Sequence, residues 1–280
     1  MKLSNTMTTH APTMIAVAPN GARKTQTDHT KLPLTPKELA HTAKACNEMG
    51  AVMIHLHVRD KNQQHTLDPD YYRPAIKAVR DAVGDQMIIQ ITTEAVGKYQ
   101  PGQQIASVKA LKPEAVSVAI REILPQPSFD KEAGKFLEWM YRERVSPQFI
   151  LYSTEDIEQF KSMQSRGLIH SDTPNVLLVL GRYTENQESD PNELLPLLEI
   201  LPSSLHWWLC AFGKSESSCM AETMSKGGHC RVGFENNLLD QDGNLAKSNE
   251  SQVEVISKQA QLLTRGLATV EQAKKMMAIR

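Results

Sequence analysis

The sequence predicts an α/β fold, a (β/α)8 TIM barrel, and three observations carry that expectation. Eight short β-branched runs alternate with eight longer amphipathic stretches, the count and order of eight βα units. Divided among eight units, the 280 residues leave about 35 each, enough for a strand, a crossover helix and their loops. No shift in composition marks a second domain, so residues 13–280 read as one barrel behind a flexible tail over residues 1–12. An open doubly wound sheet would need a G-x-G-x-x-G turn after its first strand, and Asn20-Gly21 supplies only a turn.

The elements follow in order. Met14–Ala18 is the first strand. Thr35-Pro36-Lys37-Glu38 then gives a capping box with proline at the first helical position, starting a helix over 36–49 that Gly50 ends. Strands over Ala51–Val58, Met87–Thr92, Ala115–Ile120 and Gln148–Ser153 alternate with helices near 70–82, 102–111, 130–144 and 155–166. After the strand Asn175–Gly181, Asp190-Pro191-Asn192-Glu193 repeats the start signal for a helix over 192–200. Pro196 removes a helical donor there and should kink that helix or delay its start. Strands Leu205–Ala211 and Cys230–Phe234, with helices over 216–226 and 249–265, complete the set, and Thr269-Val270-Glu271-Gln272 opens a short extra helix.

Composition excludes several function classes. Lys and Arg number 31 against 32 Asp and Glu, so no global field draws the chain to nucleic acid or an anionic membrane. No long uncharged apolar stretch exists to span a bilayer, and the start lacks an apolar secretion core, so the expected location is cytoplasmic. Cys46, Cys210, Cys219 and Cys230 lie far apart without a CxxC pair and read as buried thiols.

Alternation assigns sides along each strand. Val52, Ile54, Leu56 and Val58 suit the helix layer, which turns His55 and His57 into the mouth at the carboxyl end of the second strand, the catalytic end of such barrels. Two imidazoles two residues apart can converge on one cation. On the eighth strand Arg231, Gly233 and Glu235 share the inward parity, and His₂Glu with open positions is a catalytic zinc arrangement rather than a closed structural one. The same parity turns Gln90, Thr92 and Glu94 inward on the third strand, and Ser117, Ala119 and Arg121 on the fourth. Asn20 ends the first strand, with Arg23, Asp28 and His29 in the loop beyond it. Arg23, Arg121 and Arg231 around a cation would suit a carboxylate substrate, or else form structural ion pairs with Glu94, Glu122 or Asp60. Lys214, past the seventh strand, is a further anion-binding candidate, while His229 and His206 start their strands at the bottom and read as packing residues. Amidohydrolase-type barrels place their HxH on the first strand and need histidines after the fifth and sixth, which Ser153–Glu155 and Gly181–Tyr183 lack.

Asn20-Gly21-Ala22, Leu32 to Pro36, the HLHVRD run ending at Asp60, Gln90-Ile91-Thr92-Thr93, Gly227-Gly228-His229, Arg231 to Asn237 and Ser248-Asn249 together resemble the β-keto acid cleavage enzyme family from about residue 14 to the C-terminus. The resemblance implies a zinc-bearing TIM barrel, commonly tetrameric, that condenses a β-keto acid with acetyl-CoA and yields acetoacetate and a new CoA thioester. His55, His57 and Glu235 fall on the family's ligand positions. The family's base aspartate, supported by an arginine and a strand-three hydroxyl, falls on Asn236; the supports survive as Arg231 and Thr92, but a neutral amide accepts no proton.

Other positions depart from the family as well. An acid used toward a substrate amino group becomes Arg23, a strand-five glutamate becomes Ser153, and the usual Gly-x-Arg becomes Gly213-Lys214-Ser215. Loss of two acids points to a neutral or anionic keto acid. Three functions remain open: an acyltransferase using Glu94 or Glu122 as its base, a zinc C–C lyase or hydrolase without CoA, and a catalytically impaired metal-binding paralogue. A homotetramer or homodimer follows from the resemblance alone.

Overall fold

The computed structural model describes residues 11–171 and 173–279. Eight parallel strands close into a barrel: β1 (Ile15–Val17), β2 (Met53–Leu56), β3 (Ile88–Thr92), β4 (Ala115–Ala119), β5 (Ser146–Leu151), β6 (Asn175–Leu180), β7 (His206–Ala211) and β8 (His229–Val232). Each pairs with its neighbour in sequence, and β8 returns to β1 with Ala16 in register with Arg231. Helices α1 (Pro36–Glu48), α2 (Pro69–Val83), α3 (Pro101–Leu111), α4 (Asp130–Glu143), α5 (Thr154–Ser165), α6 (Leu194–Ile200), α7 (Glu216–Ser225) and α8 (Asn249–Leu262) follow the strands in turn, and α9 (Val270–Met276) ends the chain. Among the described residues, no helix is long and apolar enough to cross a membrane. Of the tail expected over 1–12, residues 1–10 lie outside the described residues; the Ala11 carbonyl accepts from Arg265 Nε at 2.9 Å.

The caps read from the sequence form. Thr35 and Glu38 cap α1 reciprocally, as Thr269 and Gln272 cap α9. Pro196 has the delaying effect expected: Pro191–Glu193 is a 3-10 turn, and α6 starts only at Leu194. The expected helix over 249–265 ends earlier, at Leu262.

Two apolar layers result from strand alternation. Ile15, Val17, Ile54, Leu56, Ile89, Ile91, Val116 and Val118 face the helices and build the large outer core. Met14, Ala16, Met53, Ile88, Leu177 and Trp208 fill the lower lumen, where Val270, Ala273 and Met277 close the floor. The upper lumen is polar, with His55, Gln90, Ser117, Gln148 and Arg231 all buried. Gly227 and Gly228 belong to the floor: Arg265 donates to both carbonyls, and a Cβ at Gly228 would lie 2.3 Å from the Trp207 ring. His229 is a packing residue there, its Nδ1 accepting from the Met14 amide, and all four cysteines are buried and free.

Candidate active site and metal centre

The mouth is built by backbone turns as much as by strands. β8 ends at Val232, so alternation alone does not carry Glu235 inward. Gly233 turns the chain at φ +134°, where a Cβ would lie 2.4 Å from the Ala18 carbonyl oxygen, and the Glu235 amide then donates to that oxygen at 3.0 Å. Gly21, at φ +60°, lets the first loop close over this turn, since a Cβ there would sit 2.6 Å from Glu235 Cγ. Asn249 ties the two loops together, accepting from the Phe234 amide and donating to the Pro19 carbonyl. Arg59 holds the first loop from the other side through the Gly21 carbonyl. Lys24 donates to the Glu235 main-chain oxygen at 2.6 Å.

Three ligand atoms converge as a result. His55 Nε2 lies 3.1 Å from His57 Nε2, and Glu235 Oε2 lies 3.7 and 3.3 Å from these nitrogens. Ligands about 2.1 Å from one tetrahedral cation stand about 3.4 Å apart, so the spacing fits. The chemistry fits as well. Burial lowers the two imidazoles to about 4 and about 3, keeping them neutral and able to ligate. Burial alone would raise Glu235, but Arg231 and then the imidazoles outweigh it and hold the carboxylate well below its usual range. Glu235 Oε2 is buried without a hydrogen-bond partner, as a ligand atom awaiting a cation would be. Among the described residues this is the group of three or more His, Cys, Asp or Glu side chains placed to share an ion.

Around these atoms the other candidates divide. Arg231 contacts Glu235 Oε1 at 3.3 Å, and its Nε and Nη1 are buried without partners. Glu94 accepts from Arg23 at 2.9 Å and places Oε2 4.0 Å from His57 Nδ1; burial and then the Glu235 charge raise it to about 7. Thr92 Oγ1 accepts from the Glu94 amide at 3.0 Å, so it positions that residue. Asn236 is buried and donates to the Arg231 carbonyl at 3.2 Å, leaving Oδ1 unpartnered. Asn20 donates to the His57 and Pro33 carbonyls, clamping the end of β2 to the first loop.

Four other candidates are held by, or stand beside, local partners. Arg121 lies beyond strand alternation: β4 ends at Ala119 and a helical turn over Ile120–Ile123 follows. Its guanidinium pairs with Asp156 at 2.6 Å between the Tyr152 and Tyr183 rings, none of the partners expected for it. Glu122 accepts from the Ala95 amide and Gln104 Nε2, which ties it into the loop after β3. Ser153 Oγ accepts from the Asp156 amide as the N-cap of α5. Lys214 is exposed on a surface groove beside Ser217, Gln241 and Gln259.

Three charged residues were not legible from alternation. Lys24 and Arg182 sit in loops, Arg182 reaching Glu94 Oε1 at 3.3 Å from directly after Gly181. Glu216, at the first position of α7, is fully enclosed against Asn236 and Asn237; burial raises it to about 8 despite these hydrogen bonds. An acid at a helix start usually complements the dipole at the surface, which hid its role. Because its folded value exceeds the ordinary 4.5, the folded chain keeps a proton that the unfolded chain has lost between those two values. The resulting stability is complete below 4.5 and lost as pH rises through about 8. Thermal melts at pH 5.5 and 8.5, which bracket most of that window, should therefore show a smaller alkaline drop in Glu216→Gln, by at least about 2–4 °C, the shift that 1 kcal/mol produces in a chain this size.

Comparison with known proteins agrees with the gathered motifs. The family model described as beta-keto acid cleavage enzyme matches residues 12–279. The 3-keto-5-aminohexanoate cleavage enzyme of Fusobacterium nucleatum is 28% identical over 273 residues, covering 95% of this chain and 98% of the relative. The 3-oxoadipate:acetyl-CoA acetyltransferase of Cupriavidus necator is 25% identical over 277 residues, covering 96% and 95%. Among solved structures, apo ObcA aligns with a TM-score of 0.72 at 17% identity over 89% of this chain, which spans 66% of ObcA. A type I 3-dehydroquinate dehydratase from Clostridium difficile aligns at 0.58 and 11% identity over 94% and 97%, a likeness of barrel fold alone. The mouth is assembled from the very motifs that carry the sequence resemblance, and the family model spans the whole barrel around it: the chain belongs to the beta-keto acid cleavage enzyme family.

Proposed function

We propose that this protein condenses a β-keto acid with acetyl-CoA, giving acetoacetate and a new acyl-CoA, with a divalent cation, zinc first among candidates, held by His55, His57 and Glu235. The observation that carries the reading is the convergence of those three ligand atoms beside a buried arginine with two unpartnered nitrogens. When bound, the cation supplies a Lewis acid to the keto acid's oxygens. Glu94, raised to about 7 and facing the mouth, accepts the proton alpha to the ketone. The carbanion attacks the acetyl thioester and expels CoA thiolate. The thiolate then attacks the original ketone, and cleavage of the bond to the alpha carbon releases acyl-CoA and the acetoacetate carbanion, which takes the proton back. Arg231, whose Nε and Nη1 are buried without partners, would donate to the oxygen on which charge develops. Glu122 is too committed to the Ala95 amide and Gln104 to serve as the base.

Arg23 and Arg182, both on Glu94, make the outer mouth cationic and favour a neutral or anionic keto acid over an amino-keto acid. Assembly as a homotetramer or homodimer is part of the proposal and is read by light scattering. The direct test incubates zinc-loaded protein with acetyl-CoA and a panel of cationic, neutral and dianionic β-keto acids. Acetoacetate should form from the last two groups; none from any member would sink the reading. Asn236 favours one second reading, an impaired metal-binding paralogue, and Asn236→Asp separates the two. Activity appearing only in that variant supports the paralogue, whereas an active wild type supports the acyltransferase.

A further inference from the structure

Below the ligand atoms the lumen holds two glutamines, Gln90 on β3 and Gln148 on β5, both 0% exposed. His55 Nδ1–H donates to Gln90 Oε1 at 2.7 Å, and Gln90 Nε2 donates to Gln148 Oε1 at 3.2 Å. His57 has no such support: its Nδ1 is buried without a hydrogen bond, and Glu94 stands 4.0 Å away. A neutral imidazole carries one proton, so the hydrogen bond to Gln90 places it on Nδ1 and leaves the Nε2 lone pair facing His57 and Glu235. An amide turned end for end would offer NH₂ to Nδ1 and favour the opposite tautomer, whose Nε2 cannot ligate.

The relay ends at Gln148. Gln148 is in register with Asn175 on β6, whose Oδ1 is buried without a partner, while Gln148 Nε2 is a buried donor without one. No hydrogen bond joins the two, so the relay's direction is carried by the His55–Gln90 and Gln90–Gln148 contacts. We infer that Gln90 and Gln148 are positioning residues, a two-amide relay that locks His55 in the Nδ1–H tautomer and presets the site for a divalent cation. The inference rests on the proposed ligand set and not on the proposed reaction.

Two readouts test it, neither of which uses substrate. Long-range ¹H–¹⁵N correlation on the metal-free protein reports the His55 tautomer, and chelator competition with Zn²⁺ reports affinity. The wild type should show the Nδ1–H form. Gln90→Met should mix the tautomers and weaken zinc binding by about 10–100-fold, the usual cost of losing such a partner. Gln148→Met should act in the same direction with a smaller loss, and it carries the test if Gln90→Met does not fold. Gln148→Glu, which can only accept at this contact, should keep the Nδ1–H form. Both methionine variants retaining that single tautomer and wild-type zinc affinity would overturn the relay. Failure of zinc to bind the wild type would instead overturn the ligand set, a result distinct from inactivity toward keto acids.

Discussion

Zinc is expected to raise the melting temperature of the wild-type protein by roughly 5–10 °C at about a hundredfold excess over its dissociation constant. His57→Ala should abolish that shift and lower acetoacetate formation on the order of 10³-fold or more. The reason is geometric. Two neutral imidazoles and a buried carboxylate hold their ligand atoms 3.1 to 3.7 Å apart, and a cation satisfies all three at once. Alanine at position 57 leaves two ligands and a carboxylate oxygen still buried without a partner. Differential scanning fluorimetry with and without Zn²⁺, followed by assay of the metal-loaded proteins, reads both effects. An unchanged melting temperature on adding zinc to the wild type would remove the metal from the scheme.

The second large effect is expected at Glu94. Glu94→Gln keeps the size of the side chain and an oxygen for Arg23 and Arg182, but it removes proton acceptance. General-base catalysis contributes about 10²–10⁴-fold, and kcat should fall by that amount with KM changed only a few-fold. A structural role would produce the opposite split, because loosening the two arginines would weaken substrate binding first. Exchange of the substrate's alpha proton with deuterated solvent in the absence of acetyl-CoA isolates the proton step. Exchange at the wild-type rate in Glu94→Gln would assign the base elsewhere, and Glu216, enclosed beside Asn236, would be the next carboxyl to replace.

How much of this was legible depends on what each residue answers to. The order of the eight βα units, the capping boxes of α1 and α9 and the delayed start of α6 follow from local chemistry, and all appear as read. The inward pair His55 and His57 also followed, because a strand turns alternate side chains to opposite faces and the outer face of β2 is continuously apolar. Alternation failed where the strands stop. Arg121 lies one residue into a helical turn and goes to Asp156, and Ser153 caps a helix. Glu235 reaches the mouth through the Gly233 turn and not through strand parity.

By itself, then, the sequence determined the barrel, its family and the pair of histidines, since period-two burial and capping depend only on neighbours along the chain. Tertiary structure alone decided how Glu235 reaches the two histidines, that Glu94 rather than Glu122 stands beside them, and that Lys24, Arg182 and Glu216 lie around them. These residues sit on loops and a helix start, where no periodicity fixes direction. Their positions are set by contacts between segments far apart in sequence, such as Gly21 against Glu235 and Asn249 against Pro19.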